Sequence, residues 1–132
     1  MNKRTLQVAT GIVAVVSVVT GTIGMLGISA PIYVSANLPT YPLLDSNLCF
    51  LTGIWLGLGL ALFWLIPSIE RQGTSYRILW GMIFLGGIGR LLSLLFVGKP
   101  PVMFVGFALF EVFGAPVFIY WQYRVSGSFD DG

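Results

Sequence analysis

Histidine is missing from this chain of 132 residues, and cysteine occurs once, at Cys49. Cys/His zinc sites, histidine-ligated haem, and Cys–His or Ser–His–Asp nucleophilic centres are therefore out of reach. One cysteine makes no intramolecular disulfide and reads as a small apolar filler. Charge is scarce too, at 9% of residues with a net charge of +2. So small and dispersed a balance carries no nucleic-acid-binding patch. No P-loop is present, and Gly86-Gly87-Ile88-Gly89-Arg90 lies in an apolar run with no strand before it, which removes a dinucleotide fingerprint. Neither a metal site nor a cofactor is expected.

What the chain has in abundance is apolar length: 56% of residues are hydrophobic and the mean hydropathy is +0.89. Windows 6–28, 48–69, 78–97 and 102–121 each supply the roughly 20 mainly apolar residues that a membrane crossing needs. The expected fold is a single all-α, transmembrane four-helix bundle with an outer loop at 30–47 and a short, polar, frayed tail at 125–132. Lys3, Arg4 and the Ile28-Ser29-Ala30 triplet mimic a secretory signal, but the apolar run is longer than the roughly 7–15 residues of a signal core, so a retained first helix is expected. Lys3, Arg4, Arg71, Arg77 and Arg124 fall on one side and only Lys99 on the other. This bias predicts a multi-pass protein with both termini cytoplasmic.

Two charges interrupt the last two windows. Arg90 lies nine residues before Lys99 and Glu111 eleven after Pro100, so on antiparallel helices joined at that turn they differ in depth by about 3 Å. A lone charge at mid-bilayer costs at least about 2.5–3.5 kcal/mol, which favours a partnered position inside a bundle. An Arg90–Glu111 pair is predicted. Ser93 and Gly86 share the Arg90 face, and Ala108, Gly114 and Ala115 share the Glu111 face. Gly53, Gly57 and Ala61 form a small-residue seam on the second helix, and such residues let backbones approach in lipid.

Pro116 cannot donate to the Val112 carbonyl, nor Pro67 to that of Phe63, so a kink or hydrated spot is expected at each. Pro31, Pro39 and Pro42 disfavour helix across 30–47. Trp80 and Trp121, with Tyr76, Tyr120 and Tyr123, are expected in an interfacial belt.

The pattern from Asn47 onward, with the GIWLGLGLALFW run, the GGIGRLLSLLFVGKPP hairpin carrying Arg90 and Ser93, Glu111 and Pro116, and the FIYWQYR ending, resembles the domain of unknown function 4345 family. That resemblance implies a small four-helix bacterial membrane protein without an assigned activity. The family looks more arginine-rich around Asn47, where this chain reads Asp45-Ser46-Asn47-Leu48.

Three functions are compatible with these residues. The favoured one is a non-catalytic accessory or assembly subunit of a larger membrane complex, photosynthetic or respiratory, in which aromatic side chains touch lipid, pigment or neighbouring subunits. The second is binding of, or isomerase-like chemistry on, a lipid or isoprenoid-type molecule through Arg90 and Glu111, with Ser93, Pro116 and Asn47 nearby. A single core carboxylate makes a thin catalytic inventory. The third is a small transporter, for which four helices leave little room and no inverted repeat is evident.

Overall fold

Proline sets where two of the helices begin. Pro31 opens a short helix and Pro42 opens the second long one, each in the first turn, where a missing N–H leaves nothing unsatisfied. The structure, a computed structural model, describes residues 2–130 and is all-α, with no strand among them. Its helices are α1 (Lys3–Gly24), α2 (Pro31–Val34), α3 (Pro42–Leu65), α4 (Gly73–Phe96), α5 (Val102–Leu109) and α6 (Ala115–Asp130). A π-helical turn, Phe110–Gly114, joins the last two into one rod. Four segments are long and apolar enough to cross a membrane: Lys3–Gly24, Pro42–Ser68, Gly73–Phe96 and Val102–Ser128. They are compatible with a four-helix transmembrane bundle.

Several expected boundaries move, and α1 ends at Gly24 rather than at 28. The loop at 30–47 is shorter, because α3 starts at Pro42 and gains Asp45 in its first turn, on the favourable side of the helix dipole. Helix α4 starts at Gly73, ahead of the apolar window. Residues 125–130 of the supposed tail continue α6, held by buried Val125 and a Ser128 hydroxyl that donates to the Arg124 carbonyl at 2.9 Å. Residues 131–132 lie outside the described residues.

The chain divides into two compact units. In the unit Val8–Ile66, α1 packs on α3 around Ala14, Leu58, Leu62 and Leu65. Their closest approach is at Gly59, where a Cβ would stand 2.9 Å from Ser17 Cβ and 3.0 Å from the Ala14 carbonyl oxygen, and at Gly21, where it would stand 2.7 Å from the Leu56 nitrogen. The expected seam is therefore corrected: around Gly53 and Gly57 nothing lies within 4 Å among the described residues, and Ala61 is only half-buried. Gly59 sits about 200° round the helix from Gly57, so the contact runs along a different face. Trp55 Nε1 donates to Thr20 Oγ1 at 2.9 Å, Asp45 Oδ1 accepts from the Ile28 amide at 2.9 Å, and Cys49 Sγ donates to the Met25 carbonyl at 3.4 Å. At the far end of α3 the Phe63 carbonyl, which Pro67 cannot serve, accepts from the Ile66 amide as the helix tightens into a 3₁₀ turn.

The other unit comprises the residues up to Gln7 together with those from Pro67 onward. Its core is aromatic. Trp80 stacks on Phe118 with centroids 4.1 Å apart and planes 16° from parallel, and Tyr76 and Phe110 pack against the same indole. Tyr76 and Trp80 are fully buried, which corrects their expected interfacial position, whereas Tyr120 and Tyr123 are exposed. Gln122 is buried between helices, its Nε2 donating to the Ile69 carbonyl at 3.0 Å.

Candidate functional site

The α4–α5 bend brings the predicted pair together. Helix α4 ends where Val97 and Gly98 both donate to the Ser93 carbonyl, and Gly98 takes φ +137°, a conformation open mainly to glycine. Pro101 then precedes α5, which runs back antiparallel and leads into the π turn that carries Glu111. Arg90 Nε donates to both carboxylate oxygens, at 3.0 Å to Oε2 and 3.3 Å to Oε1. Glu111 is 5% exposed, and the Arg90 side chain 41%. The guanidinium also lies over the Phe104 ring, 5.5 Å from its centroid, a cation–π arrangement.

Two backbone features make this contact possible. Gly87, one turn before Arg90, is buried where a Cβ would stand 2.7 Å from Glu111 Cβ and 3.1 Å from the Val112 nitrogen. The wide turn at Phe110–Gly114 ends just ahead of Pro116, whose ring cannot follow an ordinary α-turn without loss of a hydrogen bond. The kink expected from Pro116 thus takes the form of a π turn, and the buried carboxylate sits within it.

The other expected site residues are distributed as follows. Ser93 is exposed and, with Arg90, Leu94, Pro100 and Phe104, lines a crevice of about 100 Å³. Pro116 lies beside a different, larger groove. Asn47 is exposed on an early turn of α3, in the other unit. Gly86 has nothing within 4 Å among the described residues, so the packing role assigned to it belongs to its neighbour Gly87. A Cβ at Gly114 would meet the Phe110 ring, one turn back along the same rod, at 3.2 Å. Sequence reasoning missed Gly87 and the π turn. Gly87 lies three residues before Arg90 and Gly86 four, so both share its face and periodicity alone does not choose between them.

A second ion pair joins the first residue of the α1 span to the turn after α3. Lys3 Nζ is 2.8 Å from Glu70 Oε2, which puts the start of α1 on the same side as the turn between α3 and α4. Partial burial acts to raise the Glu70 carboxyl, but the Lys3 hydrogen bond, the residue's own backbone amide and the charges of Lys3 and Arg71 outweigh it and hold the group below the usual carboxylate range. Among the described residues no three metal-ligating side chains cluster.

Chemically, the arrangement neutralises the charges of the deep cation and anion against each other while leaving part of the cation uncovered. Of the five donors of the Arg90 guanidinium, only Nε–H has a hydrogen-bond acceptor among the described residues. Neither a search of curated proteins nor one of solved structures finds a match. The family model for a domain of unknown function, DUF4345, matches residues 5–122, a stretch that includes α3, α4, the bend and both members of the pair. The chain therefore belongs to the DUF4345 family, as a membrane protein with four apolar helices and a buried arginine–glutamate pair.

Proposed function

We propose that the protein is a non-catalytic accessory or assembly subunit of a larger membrane complex, photosynthetic or respiratory, in a bacterial inner or thylakoid-type membrane with both termini cytoplasmic. The observation that carries this reading is the half-satisfied guanidinium of Arg90. It is 41% exposed well inside an apolar span, with one N–H bonded to Glu111 and no acceptor for the others among the described residues, at a depth where acyl chains offer none. A neighbouring subunit with a carbonyl or carboxylate at that depth would complete it, and Leu94 and Phe104, which line the crevice with Arg90, supply apolar surface beside the contact.

An isomerase-like reading has less support. Its acid or base would be Glu111, and that carboxylate is engaged by Arg90 through both oxygens. No feature of the described residues favours transport.

The test is extraction from native membranes in mild detergent, followed by sizing and quantitative mass spectrometry of what stays bound. A stoichiometric protein partner is expected, and Ser93→Leu, which crowds the crevice beside Arg90, should weaken its retention. Recovery of a solitary monomer, or of a partner indifferent to Ser93→Leu, would count decisively against this function.

A further inference from the structure

A groove of about 470 Å³ opens on the surface between α4 and α6, away from the Arg90–Glu111 pair. Small residues make it: Gly81, with nothing within 4 Å of where its Cβ would stand, faces Ala115 and Pro116 across the gap. Phe84 and Ile119 form apolar walls, and Arg77 stands at one end. From Arg77, one turn in from the start of α4, to Phe84, and from Tyr123 to Pro116 along α6, the groove runs about 10 Å along the two helices. Arg77 is exposed and has no hydrogen bond or ion pair among the described residues.

We propose that this groove holds an anionic phospholipid, with its phosphate at Arg77 and an acyl chain lying over Gly81 toward Pro116. One physical argument selects that occupant. The groove is amphipathic in the sense a lipid is, with a cation at its interfacial mouth and apolar depth behind it, the arrangement by which basic pockets between membrane helices hold anionic head groups. This site uses no residue of the Arg90 pair, so it stands or falls separately from the accessory-subunit function.

The experiment is native mass spectrometry of the full chain released from nanodiscs of equal phosphatidylglycerol and phosphatidylcholine, with helicity checked by circular dichroism. The wild type should retain one phospholipid, enriched roughly fivefold in phosphatidylglycerol, the scale set by one interfacial cation. Arg77→Gln should keep a lipid and lose the enrichment, while Arg124→Gln, at the same helix end but outside the groove, should keep both. Gly81→Leu, which fills the floor, should lose the retained lipid. Equal retention of the two lipids by the wild type overturns the proposal. So does enrichment that survives in Arg77→Gln, that disappears equally in Arg124→Gln, or that persists in a helical Gly81→Leu protein.

Discussion

Gly87 vacates the space that the Glu111 side chain occupies: a methyl group at position 87 would stand 2.7 Å from Glu111 Cβ and 2.9 Å from Val112 Cγ2. Contacts so short force a helix to shift. Gly87→Ala should therefore destabilise the protein by about 1–3 kcal/mol, as overpacking does, although alanine is the better helix former. Gly86→Ala meets open space and should be neutral or slightly stabilising. Thermal melting of the two variants in one detergent checks the contrast, and equal melting temperatures would remove Gly87 from the account of the pair.

The two members of that pair should depend on each other. Arg90→Gln leaves a carboxylate, and Glu111→Gln a guanidinium, without its counter-charge, so each alone should cost on the order of 3 kcal/mol by analogy with buried pairs in soluble proteins. The double variant strands no charge. Its loss should fall short of the two single losses added together by about 1–3 kcal/mol, the coupling typical of residues in direct contact. Equilibrium unfolding in mixed micelles measures all four corners of the cycle, and strict additivity would mean that the contact contributes nothing.

Acid should weaken the link between Lys3 and Glu70. The folded Glu70 carboxyl titrates below its ordinary value of 4.5, so the native state favours its ionised form. The resulting stability is fully present above the unfolded value and disappears as pH falls through the lower folded one. Between pH 7 and pH 3 the wild type should lose more melting temperature than Glu70→Gln, which lacks this titration. Parallel losses in the two proteins would show that the ion pair adds no pH-dependent stability.

Tryptophan environments differ enough to be read by fluorescence. Trp80 is fully buried against Phe118, whereas Trp64 is 70% exposed on α3. In variants that keep one tryptophan each, acyl-chain-brominated lipid should quench Trp64 strongly and leave Trp80 nearly untouched. Strong quenching of Trp80 would place it at the lipid boundary, where its position near a helix end first suggested.

The contrast between Trp80 and Trp64 also marks what a sequence can disclose about such a chain. Apolar length is additive along the backbone, so the four spans are legible from composition and spacing alone. The Arg90–Glu111 pair is legible for a related reason: the bend at 98–101 fixes the zero of depth, and 1.5 Å per residue does the rest. Which side of a helix meets its neighbour is a different quantity. It depends on rotation, and in helices apolar on every side no polar face reveals it. Gly53 and Gly57 were thus indistinguishable in kind from Gly59, and Gly86 from Gly87. Pro42 misled because a ring that stops a helix from its interior starts one from its first turn. The π turn left no clear trace, since Pro116 requires some adjustment before it without dictating which.

The Lys3–Glu70 contact bears on how the protein is made. Lys3 leaves the ribosome well before Glu70, and its anionic counterpart is not synthesised until all of α3 has been translated. The opening turn of α1 therefore completes its electrostatic anchoring only after two hydrophobic segments have been produced. Nascent chains stalled before residue 70 should hold that turn less firmly than chains stalled far enough beyond it for Glu70 to clear the exit tunnel, which makes this bond a timestamp for insertion of the α1–α3 hairpin.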